Sequence, residues 1–398
     1  MGTDPVGAAV VRVSDPAEVL SYVPHAIGYV PTQSIVAISL RPPRRRIGLV
    51  ARVDLDDIVG ERGHDVADDL ADFLTADGAV ALFVVVYTSE PVARARRSRS
   101  LADRAFESLM CAQGLPESVE TWIVAPDGYV AWGCQDLTCC PTGGRDLRDL
   151  DDTRLATQLT LAGSAPLASR SALESGIDDD PVRRREFESA VRRIDRVRAQ
   201  AQGRGDLDRW RVRRTRSALS LLVGIGSGLR TLDDFPYEDD RPLTPAQLGA
   251  ISAALTDVVV RDLALVAIAR SCGRPHGERS TSRSRASSRR TAQVTTASLD
   301  SLPFDVGAVF GAGGPAPEPQ LLSRVQRGLG DAVRLGRGPM RADLLVILAW
   351  LAWWAGDGAR AGVHLGEALD LVPDHRLGAL IRDSLRHAVP PGWARAAS

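Results

Sequence analysis

Ala79-Val80-Ala81-Leu82-Phe83-Val84-Val85-Val86-Tyr87 is the run whose reading decides the fold. It is apolar throughout. A bilayer span needs about 20 apolar residues, and a half-buried strand would alternate with polar ones. The run therefore reads as a strand covered on both faces. Upstream, Ser34–Leu40 and Ile47–Leu55 read as two short strands joined by Arg41–Arg46, which holds Pro42 and Pro43. So short a connection implies an antiparallel pair. With side chains alternating, Leu49, Ala51, Val53 and Leu55 share one face, and Arg52 and Asp54 share the other.

Helical spacing surrounds these strands. Residues 14–24 predict a short helix with Ser14 as N-cap, Pro16 in the first turn, an apolar face of Val19, Leu20 and Val23, and Pro24 as its stop. Val66–Leu74 and Ser98–Gln113 predict two more, the second ended by Gly114 and Pro116. Glu120–Val124 and Tyr129–Trp132 predict a hairpin about Asp127-Gly128. The expectation for residues 10–176 is an α/β domain with a mixed sheet.

From Pro181 onward only helical spacing remains. Phe187, Ala190, Val191, Ile194 and Val197 recur at three- and four-residue intervals, and 210–223, 245–254 and 257–269 behave alike. Residues 181–271 are expected to be helical, 272–300 a flexible Arg/Ser-rich insert, and 317–396 a second helical region packing with 181–271. Asp343–Ala355, Ala359–Leu371 and His375–His387 predict three helices. Gly356–Pro373 resembles the second helix of a tetratricopeptide repeat, with Ala361, Ala368, Leu369 and Pro373 at its small and turn positions. A lone repeat cannot bury its own face, so this hairpin is expected to pack on its neighbours.

Taken in order, several segments resemble the actinobacterial family called domain of unknown function 4192. They are Val19–Pro31, Ser34–Leu40, Ala51–Leu55, Val84–Thr88, Cys139-Cys140-Pro141, Ala168-Ser169-Arg170, Val260-Arg261-Asp262, Gly356-Asp357-Gly358-Ala359 and Pro391-Gly392-Trp393. The resemblance spans nearly the whole chain and implies a bacterial cytosolic protein. It supplies no activity and no catalytic residues.

Composition narrows the chemistry. All 49 basic residues are arginine, and lysine and asparagine are both absent from the 398 residues, the mark of a GC-rich genome. A phosphate-loop lysine, a kinase β3 lysine and a Schiff-base amine are thereby excluded. Gly224, Gly226 and Gly228 follow no strand, so they make no dinucleotide fingerprint. There is no Gly-x-Ser-x-Gly elbow and no His-Glu-x-x-His. Five cysteines, with no basic-then-apolar start at Met1–Val13, imply reduced thiols in a cytoplasm and no signal peptide.

Candidate residues remain. Cys134, Cys139 and Cys140 lie within seven residues on a Gly/Pro-rich loop and could hold a soft metal or a reactive thiolate. Adjacent cysteines seldom bind one ion, so the simpler expectation is small buried residues in a tight turn, with no metal and no cofactor. His25 follows a helix and could face a cleft; Arg52 and Asp54 pair with each other or line a pocket; Tyr87 ends the central strand, where open sheets place ligands. Residues 181–216 hold 13 arginines against 5 acidic residues, and 54–77 hold 9 acidic residues against one arginine, so mutual attraction of the two is expected ahead of phosphate binding. Nucleic acid is a less favoured partner.

The sequence thus reads as a cytoplasmic, non-enzymatic binding or regulatory protein with a protein partner and no membrane. The alternative is an enzyme or small-ligand sensor whose cleft is lined by His25, Arg52, Asp54, Tyr87, Cys134, Cys139 and Cys140.

Overall fold

The computed structural model describes residues 15–161, 164–223, 242–274, 316–387 and 389–395. It divides into two compact units at Leu173/Glu174.

The first unit is the α/β region. Its elements run α1 (Pro16–Ile27), β1 (Ser34–Arg41), β2 (Arg46–Asp54), α2 (Leu55–Ile58), α3 (Gly63–Ala76), β3 (Ala81–Tyr87), α4 (Val92–Ala95), α5 (Leu101–Met110), β4 (Val119–Ala125), β5 (Gly128–Ala131), α6 (Arg148–Asp151) and α7 (Arg154–Leu161). The sheet order is β2-β1-β3-β4-β5. All neighbours are antiparallel except β3 and β4, whose parallel pairing requires the long crossover that α4 and α5 supply. Every residue of β3 is buried, as its unbroken apolar run requires. Ile35, Ala37, Val84, Val86 and Ile123 join Leu70, Leu74, Phe106 and Leu109 in one core. Val36, Ile38, Phe83 and Val85, which alternate with them, are buried too. On that side α1 packs against α6, α7 and β2.

Three local expectations are corrected. Asp15, not Ser14, caps α1: its carboxylate accepts from the Ala17 N–H at 3.0 Å. Pro24 does not stop this helix, which continues to Ile27 and ends at Gly28 in the left-handed region. Ser21 Oγ donates to the Glu18 carbonyl at 2.9 Å, and beyond Pro24 the last turn closes through the Gly28 N–H, which donates to the Pro24 carbonyl at 2.8 Å. In the β4–β5 hairpin Ala125 pairs with Gly128, so Pro126-Asp127 form the turn and Gly128 already belongs to the strand. A Cβ there would lie 2.7 Å from the Gly143 carbonyl oxygen, so glycine answers to a close approach and not to the turn.

The second unit is helical: α8 (Pro181–Ala199), α9 (Arg204–Val223), α10 (Pro245–Leu255), α11 (Val258–Cys272), α12 (Pro319–Leu335), α13 (Gly338–Trp354), α14 (Gly358–Leu371), α15 (Arg376–Arg386) and α16 (Gly392–Arg395). Gly273–Arg274 and Ala316–Pro317 form a two-residue antiparallel ladder. That ladder takes in the first residues of the expected insert. Its remainder, 275–300, lies outside the described residues, as do Gly224, Gly226 and Gly228. From Ala342 through Trp354 every residue of α13 is buried except Asp343, and the helix packs most extensively on α14. Among the described residues no helix is long and apolar enough to cross a membrane.

Several arginines of 181–216 pair with acids of their own unit. Arg198 and Arg211 both reach Asp257, at 2.9 and 3.1 Å, and its side chain is 1% exposed. Arg183 pairs with Asp178, and Arg184 and Arg192 with Glu188. The pairs on α8 join residues four or five apart, where ordering the side chains costs least, whereas Asp257 lies between α10 and α11 and gathers arginines from α8 and α9.

Candidate functional site

The loop after β5 is built from both ends. Trp132 stacks on Phe106 of α5 with ring centroids 4.9 Å apart, and its indole N–H donates to Asp103 at 3.2 Å. Gly133, at φ 74°, then turns the chain. At the far end Arg145 and Tyr129 exchange backbone hydrogen bonds of 2.8 and 3.1 Å, tying the loop's return to β5. Gly144, at φ 80°, lies against the Tyr129 backbone and Val92 with no room for a side chain. Between these anchors Cys140 donates its N–H to the Asp136 carbonyl at 2.7 Å, and Thr138 donates to the Asp136 side chain at 2.8 Å.

Two arginines set the interior of the loop. Arg96, which follows α4, donates to the carbonyl oxygens of Cys134 at 2.6 Å and Pro141 at 3.1 Å. Arg145 lies over the rings of Trp122 and Tyr129, 5.3 and 5.9 Å from their centroids. From there its Nε donates to the Cys139 carbonyl at 2.7 Å and its Nη2 to Cys139 Sγ at 3.2 Å.

The outcome is a cluster of three thiols. The sulfurs of Cys134, Cys139 and Cys140 all lie within 4.8 Å of one another, and those of Cys139 and Cys140 are 3.8 Å apart. Cys140 is buried and receives the Ala131 N–H at 3.4 Å, while Cys134 and Cys139 are half-buried. The hydrogen bond from Arg145 lowers the Cys139 thiol, so a thiolate forms there most readily. Burial pushes Cys140 up to about 11. An ion about 2.3 Å from three thiolates in a plane separates them by roughly 4 Å. The cluster is close to that size.

The single cleft expected from the sequence is not formed. Arg52 and Asp54 lie on β2, at the sheet edge opposite β5, and four strand spacings of ~4.8 Å put roughly 19 Å between those edges. Arg52 makes a two-pronged pair with Asp54 at 2.5 and 3.1 Å, and Arg170 approaches the same carboxylate at 3.5 Å. Tyr87 falls in register with Ser34, and Ser34 with Asp54, so these three form one row across β3, β1 and β2. Tyr87 is buried, and burial raises its hydroxyl. His25 belongs to the last turn of α1, not to a segment after it, and its Nδ1 meets Ser164 Oγ at 2.8 Å. Partial burial lowers its pKa. The candidates therefore separate into a thiol loop, a charged row at the far edge, and a histidine–serine pair. Arg96 and Arg145 were not singled out from the sequence, because two arginines among 49 carry no signal.

A mixed α/β sheet with a thiol loop, continued by a helical unit, is the class of protein this chain represents. It belongs to the family described as Domain of unknown function (DUF4192), whose model matches residues 16–296 and 320–392. No curated protein and no solved structure matches the chain.

Proposed function

We propose that the chain is a cytoplasmic, non-enzymatic binding or regulatory protein whose α/β unit takes up a soft metal ion at Cys134, Cys139 and Cys140. The observation that carries the reading is the mutual approach of the three sulfurs within 4.8 Å. Thiolates select monovalent copper and zinc over hard cations. Among the described residues the cluster has three ligands, which suits copper(I), an ion that accepts three-coordination, better than four-coordinate zinc. Three thiolates around copper(I) carry a net charge of −2, and the Arg145 guanidinium against Cys139 offsets part of it. Cys111, Cys134, Cys139 and Cys140 are all free, which supports a reducing compartment, and the arginine-only basic composition supports an actinobacterial source.

Response to the ion is read by a protein partner on this proposal, through the helical unit. Its α14–α15 hairpin is tetratricopeptide-like in carrying small buried residues, Ala361 and Ala368, where helices meet, and it exposes Leu371 and Leu380.

The test is anaerobic titration of the reduced chain with copper(I) against a colorimetric chelator, with zinc(II) as a parallel arm. One copper(I) per chain is expected, with C134S and C139S each weakening it by at least a hundredfold. These positions are half-buried, so neither change empties a core site. Wild-type protein that competes no better than the C134S/C139S double variant overturns the reading.

A further inference from the structure

Sulfurs close enough to share an ion are also close enough to join each other. Those of Cys134, Cys139 and Cys140 lie within 4.8 Å of one another, a gap that rotation of two side chains closes to a disulfide bond. The backbone selects which two. Cys139 and Cys140 are linked by a trans peptide, which sets their Cα atoms about 3.8 Å apart, and disulfides begin at roughly 4.4 Å. That pair is therefore strained, although its sulfurs are only 3.8 Å apart. Cys140 is also buried, and its sulfur accepts the Ala131 N–H at 3.4 Å, which ties it to β5. Cys134 and Cys139 are both half-buried, so a small solute reaches them.

The loop folds this pair together. Asp136 accepts the Cys140 N–H at its carbonyl and the Thr138 N–H at its side chain, so residues 136–140 double back on Cys134. Arg96 holds the Cys134 carbonyl at 2.6 Å and Arg145 the Cys139 carbonyl at 2.7 Å, which fixes the two halves from opposite ends. Arg145 does more at Cys139, where its Nη2 stands 3.2 Å from the sulfur. A guanidinium in that place can donate to an oxygen arriving at the sulfur and stabilise the charge that grows on it. Cys111, exposed beyond the end of α5, provides an ordinary thiol for comparison.

We infer that Cys139 is a peroxide-oxidised thiol and Cys134 its resolving partner, so that one equivalent of hydrogen peroxide closes the loop as a Cys134–Cys139 disulfide. In the first step the Cys139 sulfur attacks one peroxide oxygen: the S–O bond forms, the O–O bond breaks, and the thiol proton leaves with the second oxygen as water. Cys139 is then a sulfenic acid. In the second step the Cys134 sulfur attacks Cys139 Sγ: the S–S bond forms, the S–O bond breaks, and the hydroxyl leaves with the Cys134 proton as a second water. Two thiols give up two electrons and one peroxide becomes two waters. The consequence for ion uptake rests on the copper(I) reading above: the disulfide removes two of three ligands, and Cys140 alone does not retain the ion, so peroxide releases it.

Treatment of the reduced, metal-free full chain with one equivalent of hydrogen peroxide, followed by alkylation and peptide mapping, tests the assignment without any variant. Loss of two of the five thiols is expected, with Cys134 linked to Cys139 and Cys111 still free. In C134S the Cys139 sulfenic acid is expected to persist and to be trapped by dimedone, whereas C139S should lose thiols at least tenfold more slowly than wild type. Absence of a cross-link overturns the inference, as does a link from Cys134 to Cys140 or oxidation of Cys111 as fast as Cys139. Copper(I) titration of the reduced and the cross-linked chain separates this inference from the reading beneath it. A reduced chain that binds no copper(I) removes that reading and leaves the mapping to decide the disulfide; a reduced chain that binds copper(I) but never cross-links removes only the disulfide. Equal copper(I) affinity before and after cross-linking overturns the release.

Discussion

Arg341 in the helical unit is carried almost wholly out of solvent. It donates to the carbonyl oxygens of Val333 and Ser175 and to the Glu367 carboxylate, and its side chain is 9% exposed. Arg52 in the α/β unit makes a pair of similar length, but its partner Asp54 stays 42% exposed on an edge strand. The same two chemical groups therefore carry different weight in the two units. At the sheet edge water takes over from a lost partner; between packed helices nothing does.

The largest effect that could break this comparison is at Arg341. R341M should cost the helical unit about 3–5 kcal/mol in urea denaturation, because Glu367 and two carbonyl groups lose their donor. Adding E367L should recover much of the loss, since a buried pair replaced whole by apolar groups is close to neutral. A single variant costing under about 1 kcal/mol would place Arg341 with Arg52 and dissolve the distinction.

His364 gives the next effect. Its pKa of about 4 in the folded chain lies below the ordinary 6.5, so the unfolded chain takes up the proton first as pH falls. Its contribution to stability is complete above about pH 6.5 and is lost between there and about pH 4, up to roughly 3 kcal/mol. Arg360 and Glu367 face the ring, with Arg327 across the cavity that the ring lines, so the measurement is the difference between wild type and H364Q across that range. Parallel stability curves for the two proteins would show that the imidazole is not held neutral. The smallest effect is at the sheet edge: D54N should change stability by less than about 1 kcal/mol and leave copper(I) binding at the thiol loop unaltered. A larger cost would mean that the Asp54–Ser34–Tyr87 row is more deeply coupled to the core than its exposure implies.

Legibility followed the range of the interactions. The β1–β2 pair, the buried β3 run and the β4–β5 hairpin were readable because alternation and continuous apolar character report burial directly. The thiol loop was readable as a candidate because its three cysteines fall within seven residues. Its geometry was not, because the loop is held by Arg96, just beyond α4, and by Arg145 stacked over Trp122 and Tyr129. Helix α13 was expected only from Asp343, yet it begins at Gly338: buried Arg341 breaks the apolar pattern, and its acceptors on Val333, Ser175 and Glu367 explain its presence inside. The cavity beside His364 left no sequence signal, since Ser175, Ser323 and His364 come from separate segments.

What this sequence determined by itself is the place and type of its main elements, the change from a sheet-bearing to a mainly helical half, and the absence of lysine chemistry. Those properties follow from local periodicity and composition, which a chain carries before it folds. Tertiary structure alone decided which polar groups stand together: the three sulfurs as one cluster, the charged row on the opposite sheet edge, and buried His364 near Arg360 and Glu367. The physical reason is that a site is a coincidence of groups in space, and packing brings them there from positions whose spacing along the chain records nothing of it.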